Sequence, residues 1–96
     1  MKQHSLKKIL ECTLRCCNIT ENDWQDLKHT RIGRIVRAKQ LVSHIAFGEG
    51  YNYREIAAFL SFNRTTAFYH VKTLRDEMMI YPSVQGLVDK IVSMLD

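Results

Sequence analysis

Apolar residues recur along the chain at intervals of three and four. Leu6, Ile9, Leu10, Thr13, Leu14 and Cys17 follow this pattern and predict a first helix that stops at Asn18. Thr20 followed by Asp23 reads as an N-cap with an acidic first turn, opening a short helix through Trp24 and Leu27, in which Trp24 is a core anchor. Ile35, Ala38, Leu41, Val42, Ile45 and Ala46 mark a third helix from about Arg34 to Phe47, ended by Gly48 and Gly50. Two more helices are expected over about 53–60 and 64–80, with Asn63 as the N-cap of the longer one. Pro82 and Ser83 break the chain, and Val84, Leu87, Val88, Ile91 and Leu95 form the apolar stripe of a last helix. Strand-like alternation, internal repeats and linker-like segments are lacking. The expected fold is all-α: one domain over 1–96, a compact bundle of about six helices with a helix-turn-helix embedded at about 53–80.

Composition agrees with that picture. Ninety-six residues, 46% apolar and 25% charged, suit one modest core. No apolar run approaches the roughly 20 residues of a membrane span, so no membrane partner is expected. In the opening "MKQHSLKKILECTLRCC", Lys7, Lys8, Glu11 and Arg15 interrupt any signal-peptide core, which points to a cytoplasmic chain. Cys12 and Cys16 lie one helical turn apart, yet no second ligand pair follows at zinc-site spacing. Together with Cys17 they read as reduced thiols partly facing the core, and neither metal nor cofactor is expected. His4, His29 and His44 lack a paired acid at any recognisable spacing, and no G-x-x-x-x-G-K-[ST] run is present. An enzyme, or a small-molecule substrate, is not expected.

Charge changes the picture more. The net charge is +4, but Lys28, Arg31, Arg34, Arg37, Lys39, Arg54, Arg64, Lys72 and Arg75 face only Glu49 and Glu55 within the middle of the chain. That basic middle, between acidic ends, suits a polyanion such as double-stranded DNA. On the helix after Asn63, Ala67, Val71, Leu74 and Met78 share one narrow apolar face. Opposite them come Thr65, Tyr69, Lys72 and Asp76, flanked by Thr66 and Thr73, with Arg64 at the first turn. A merely solvated face favours Glu and Lys over Thr and Tyr, which are poorer helix formers. Hydroxyl, basic and aromatic residues in the first half of a helix suit a recognition helix in the major groove. His70 falls on the core flank and reads as a packing residue, and Phe62 in the turn as a core plug.

In this order the segments resemble the C-terminal DNA-binding domain of the bacterial chromosomal replication initiator DnaA. "CNITENDWQDLKHTR" resembles that family's short helix and basic approach, "RIVRAKQLVSHIAF" its long helix and "NYREIAAFL" the first helix of its helix-turn-helix. "NRTTAFYHVKTL" resembles its signature segment and "MMIYPSVQGLVDKIVSML" its closing helix. The run "REIA…TTAFYHV" also resembles the helix-turn-helix of LuxR-type regulators, so the upstream "VRAKQ" is the more specific part of the resemblance.

The resemblance implies a role for each matched residue. Arg31 corresponds to the loop arginine that enters the minor groove. Lys39 and Gln40 correspond to a phosphate-holding pair, and Thr65 and Thr66 to the hydroxyl pair at the recognition-helix tip, of which the first reads thymine. Tyr69, Lys72 and Thr73 fall where the family contacts the DNA backbone. Asn63 and Arg64 stand in for the Asp and His that help choose bases, in a turn shorter by one residue, so a different target sequence is expected. From charge and position, Arg34, Arg37 and Arg54 join the phosphate-binding group. The ATPase of the initiator is not part of this sequence.

The expected function is sequence-selective binding of duplex DNA, in a nucleoid-associated regulator or replication accessory. A LuxR-like regulator domain and a protein-interaction module are the alternatives. The chain is expected as a monomer or homodimer, with the outer face of the last helix open to a protein partner.

Overall fold

The computed structural model describes residues 2–96, which form six helices and no strand. They are α1 (Leu6–Cys16), α2 (Glu21–Leu27), α3 (Gly33–Gly48), α4 (Tyr53–Leu60), α5 (Arg64–Ile80) and α6 (Pro82–Leu95). Four of them begin on a side-chain cap. Ser5, Thr20, Asn52 and Asn63 each accept the backbone N–H three residues on, that of Lys8, Asp23, Glu55 and Thr66. Each cap satisfies one of the amide groups that the first helical turn leaves open. At α4 the cap is reciprocal, because the Asn52 N–H donates to the Glu55 carboxylate at 3.0 Å.

Three helices end alike, each on one left-handed residue. These are Asn18 (φ 56°), Gly50 (φ 104°) and Ser61 (φ 63°). In each case the next amide reaches back five residues in the chain: Ile19 to Leu14, Tyr51 to Ala46, Phe62 to Ala57. Gly48 therefore belongs to the last turn of α3, and Gly50 alone supplies the stop. Asn tolerates this conformation and Gly adopts it freely, but Ser does so against a Cβ clash. Ser61→Gly is accordingly expected to stabilise the fold by about 0.5–1 kcal/mol, seen as a Tm raised by a few degrees. A lower Tm would show that the Ser61 side chain contributes more than its strain costs.

The core is built around α3, which touches α1, α4, α5 and α6 and makes its largest interface with α5. Ile9, Ile35, Leu41, Ile56, Leu74 and Ile91 are its largest fully buried aliphatic residues, drawn from five of the helices. Trp24 and Ile19 are buried and pin α2 to it. Ala57 and Ala67 are buried where α4 meets α5, and small residues there allow close approach of the two helices. Thr13 and Ser43 are the buried polar residues, and both hydroxyls donate to the carbonyl four residues back.

Residues 2–5 are strapped across the turn between α3 and α4. The Glu49 carboxylate accepts the backbone N–H of Gln3 and His4 and lies 2.7 Å from His4 Nδ1. The Tyr51 hydroxyl donates to the His4 carbonyl, and Lys2 pairs with Glu55 while lying over the Tyr51 ring. His4 thus has an acid partner, contrary to the expectation from spacing. Forty-five residues separate the two, and only the packing of α1 beside α3 brings them together. Burial alone would raise the Glu49 carboxyl, but the hydrogen bonds from His4 and Gln3 hold it below the ordinary carboxylate value. No helix of the described residues is long and apolar enough to cross a membrane.

Candidate nucleic-acid interface

The helix pair α4–α5 is joined by Ser61, Phe62 and Asn63 alone, so the start of α5 projects at a corner. Its first turn is held by Asn63, whose Oδ1 accepts both the Thr66 N–H at 2.8 Å and the Thr66 hydroxyl at 3.0 Å. That cap uses the carboxamide oxygen of Asn63 and the hydroxyl proton of Thr66. What remains for a ligand is the Asn63 amide nitrogen and the Thr66 lone pairs. Thr65, by contrast, is exposed and keeps its whole hydroxyl free, as Arg64 keeps its guanidinium. Tyr69 is 57% exposed and points outward from the next turn.

Arg54, on α4, meets this corner. Together with Asn52, Tyr53, Arg64, Thr65, Phe68 and Tyr69 it lines an open groove of 570 Å³ between the starts of α4 and α5. The groove has an aromatic wall that sequence reasoning missed. Phe47 of α3 stacks on Tyr53 at 4.6 Å between ring centroids. Tyr53 meets Phe68 edge-on at 5.7 Å, and Phe68 meets Tyr69 at 5.5 Å. The rings form a ladder from half-buried Phe47 to the surface, where Phe68 is 43% and Tyr69 57% exposed. A signal was present: Phe68 falls about 100° from Ala67 around the helix, well off the apolar face.

The other expected contact residues divide. Arg31 lies exposed in the loop before α3, and Arg34 exposed in its first turn. That turn begins at Ile32 without a side-chain cap, which leaves backbone amides open beside the two arginines. Lys39 and Gln40 are half-buried. Burial pulls the Lys39 ammonium below its usual value, and burial and then the Lys39 charge pull down His70. Lys39 is on α3, which packs against α5. The half-buried His70 of α5 packs on Phe62 at 5.1 Å, as its place on the core flank predicts. Phe62 is half-buried against the core. Thr73 is exposed on α5.

Arg37 is not a free phosphate contact. Its guanidinium grips the Glu77 carboxylate with two bonds, Nη1 to Oε2 at 2.6 Å and Nη2 to Oε1 at 3.3 Å. The pair is half-buried and ties α3 to the second half of α5. Lys72 is also paired, with Asp76 at 3.4 Å, but both side chains are well exposed. Such a surface pair is worth little and opens readily. Arg75 lies over the Phe47 ring at 5.7 Å. The basic stretch read from the sequence ends at Arg75, and the acids one and two residues beyond it neutralise two of its cations.

Elsewhere, Cys12 is buried, and Cys16 and Cys17 are half-buried free thiols. Burial, then the neighbouring Cys16, push the Cys17 thiol up, with Arg37 opposing them. Among the described residues no group of three or more His, Cys, Asp or Glu side chains could hold a metal ion. No protein-family model, curated protein or solved structure matches the chain.

Proposed function

We propose that this chain is a sequence-selective duplex-DNA binder that lays the first half of α5 in the major groove. On this reading it is a relative of the initiator's DNA-binding domain, acting as a regulator or replication accessory rather than as an enzyme. One observation carries the reading. Arg64, Thr65 and Arg54 cluster at the exposed corner with no hydrogen bond or ion pair to the described residues, while Arg37 is internally bonded. Cations and hydroxyls left unpartnered at a helix start are suited to an external polyanion.

Arg64 and Thr65 read base edges, with Asn63 and Thr66 holding the tip and offering their remaining polar atoms. Arg54, Tyr69, Thr73 and Lys72, once released from Asp76, meet phosphates, as do Arg34, Lys39 and Gln40 at the start of α3. Arg31 enters the adjacent minor groove, where A/T-rich sequence narrows the groove and concentrates negative potential.

Selection from a randomised duplex pool at near-physiological salt tests the reading. A motif with an A/T-rich flank is expected, and no retention of any duplex would overturn it. Repeating the selection with Thr65→Ala is expected to change the base preferred at one position while leaving the salt dependence as it was. An unchanged motif would remove Thr65 from the base-reading set.

A further inference from the structure

The groove between the starts of α4 and α5 has a composition that duplex contact does not account for. Phosphates call for cations and amides, and a paired base shows a groove-reading helix only its edge. Arg54, Arg64, Asn52 and Thr65 answer those needs. Tyr53, Phe68 and Tyr69 do not, yet they supply three of the seven lining residues. Phe68 is held on one side by Tyr53, itself stacked on Phe47, and on the other by Tyr69. The ladder fixes the outer rings at small cost in side-chain freedom and leaves them open to solvent. The lining carries no acid, and 570 Å³ falls within the roughly 300–1,000 Å³ of pockets that hold small molecules.

A flat aromatic surface beside cations is the arrangement that binds unpaired bases, which stack on the rings while the cations hold the flanking phosphates. We infer that this groove receives an unpaired nucleotide, so that the chain binds a duplex with a bulged or single-stranded nucleotide at its site more tightly than the same duplex fully paired. The inference deepens the duplex reading above and uses the same corner of the molecule. Phe68 is the stacking surface, Tyr69 and Tyr53 brace it, and Arg54 takes the flanking phosphate while Arg64 keeps its base edge in the adjoining duplex.

The test uses the motif recovered from the duplex pool in three forms: fully paired, with one extrahelical 2-aminopurine beside it, and as a labelled single-stranded oligothymidylate for comparison. The unpaired form is expected to bind roughly tenfold more tightly than the paired one, with 2-aminopurine fluorescence quenched on binding as its base stacks on the ring. Phe68→Ala and Phe68→Leu remove that gain, Phe68→Trp keeps it, and all three bind the paired duplex as the parent does. Phe68→Leu retains the apolar volume against Tyr53, so its loss separates stacking from misfolding. Equal affinity for paired and bulged forms, or a Phe68→Leu variant that keeps the gain and the quenching, overturns the inference while duplex binding stands. A chain that binds no paired duplex overturns the earlier reading instead, and the oligothymidylate then decides this one: quantifiable binding lost in Phe68→Leu upholds it, and no binding overturns it.

Discussion

Arg64→Ala is expected to lower affinity for the preferred duplex by about 1–3 kcal/mol, and to relax the sequence preference at the base it reads. Arg64 opens α5, is exposed, and its side chain borders the groove without any partner among the described residues. Nothing in the fold depends on it, so the melting temperature should stay where it is; surface changes of this kind move stability by about 0.5 kcal/mol or less. Titration of preferred and scrambled duplexes, alongside a thermal melt, reads both quantities at once. An unchanged specificity ratio would mean that the arginine contacts only the backbone. An unchanged affinity for both duplexes would place the DNA surface elsewhere. Arg37 illustrates why position matters more than charge: it has the same guanidinium, but both its outer nitrogens already face Glu77.

The second large effect belongs to the scaffold. Leu74→Ala is expected to cost about 2–5 kcal/mol of unfolding free energy, because it empties a fully buried site. Small domains have only about 5–15 kcal/mol to lose, so the variant should unfold at much lower urea concentration. Leu74 lies on the side of α5 that faces the core, opposite Thr65. The folded fraction should therefore select the same DNA motif as the parent. A loss of stability below about 1 kcal/mol would show that neighbours collapse into the space. A changed motif would show that packing beneath α5 sets the angle of its outer face. The two substitutions have opposite signatures, one altering recognition at constant stability and the other the reverse.

Local structure was highly legible. The bounds of α4 and α5 match the sequence expectation because both helices carry their own punctuation: Asn63 caps the second, and the residues between them cannot continue either. Apolar spacing likewise placed Ile35, Leu41, Leu74 and Ile91 in the interior. The pairings across the fold were not legible. Glu77 reaches Arg37 from forty residues away and Glu49 reaches His4 from forty-five, and no spacing rule connects such positions. Only the crossing of α3 with α5 and of α1 with α3 creates them. The basic middle of the chain was real as composition but overstated as a surface, because charge along a sequence ignores which cations have acid neighbours in space. Phe68 was readable in principle: a large aromatic off the apolar face requires a reason, and the ladder from Phe47 supplies it.

Tyr81 closes α5 and opens α6, and Pro82 is already the first helical residue of the latter. One extended residue is all that separates the long helix from the last. Such a joint has no slack, so the rotational phase at which α5 ends dictates which side of α6 meets the core. A single inserted residue would turn α6 by about 100° and carry Val84, Val88, Ile91 and Leu95 away from their sites. The two helices therefore form one bent lever, with the exposed Arg64–Thr65 tip at one end and a core-locked stripe at the other. Length variation in this chain has room in the loop before α3, where Arg31 is exposed, and none at Tyr81.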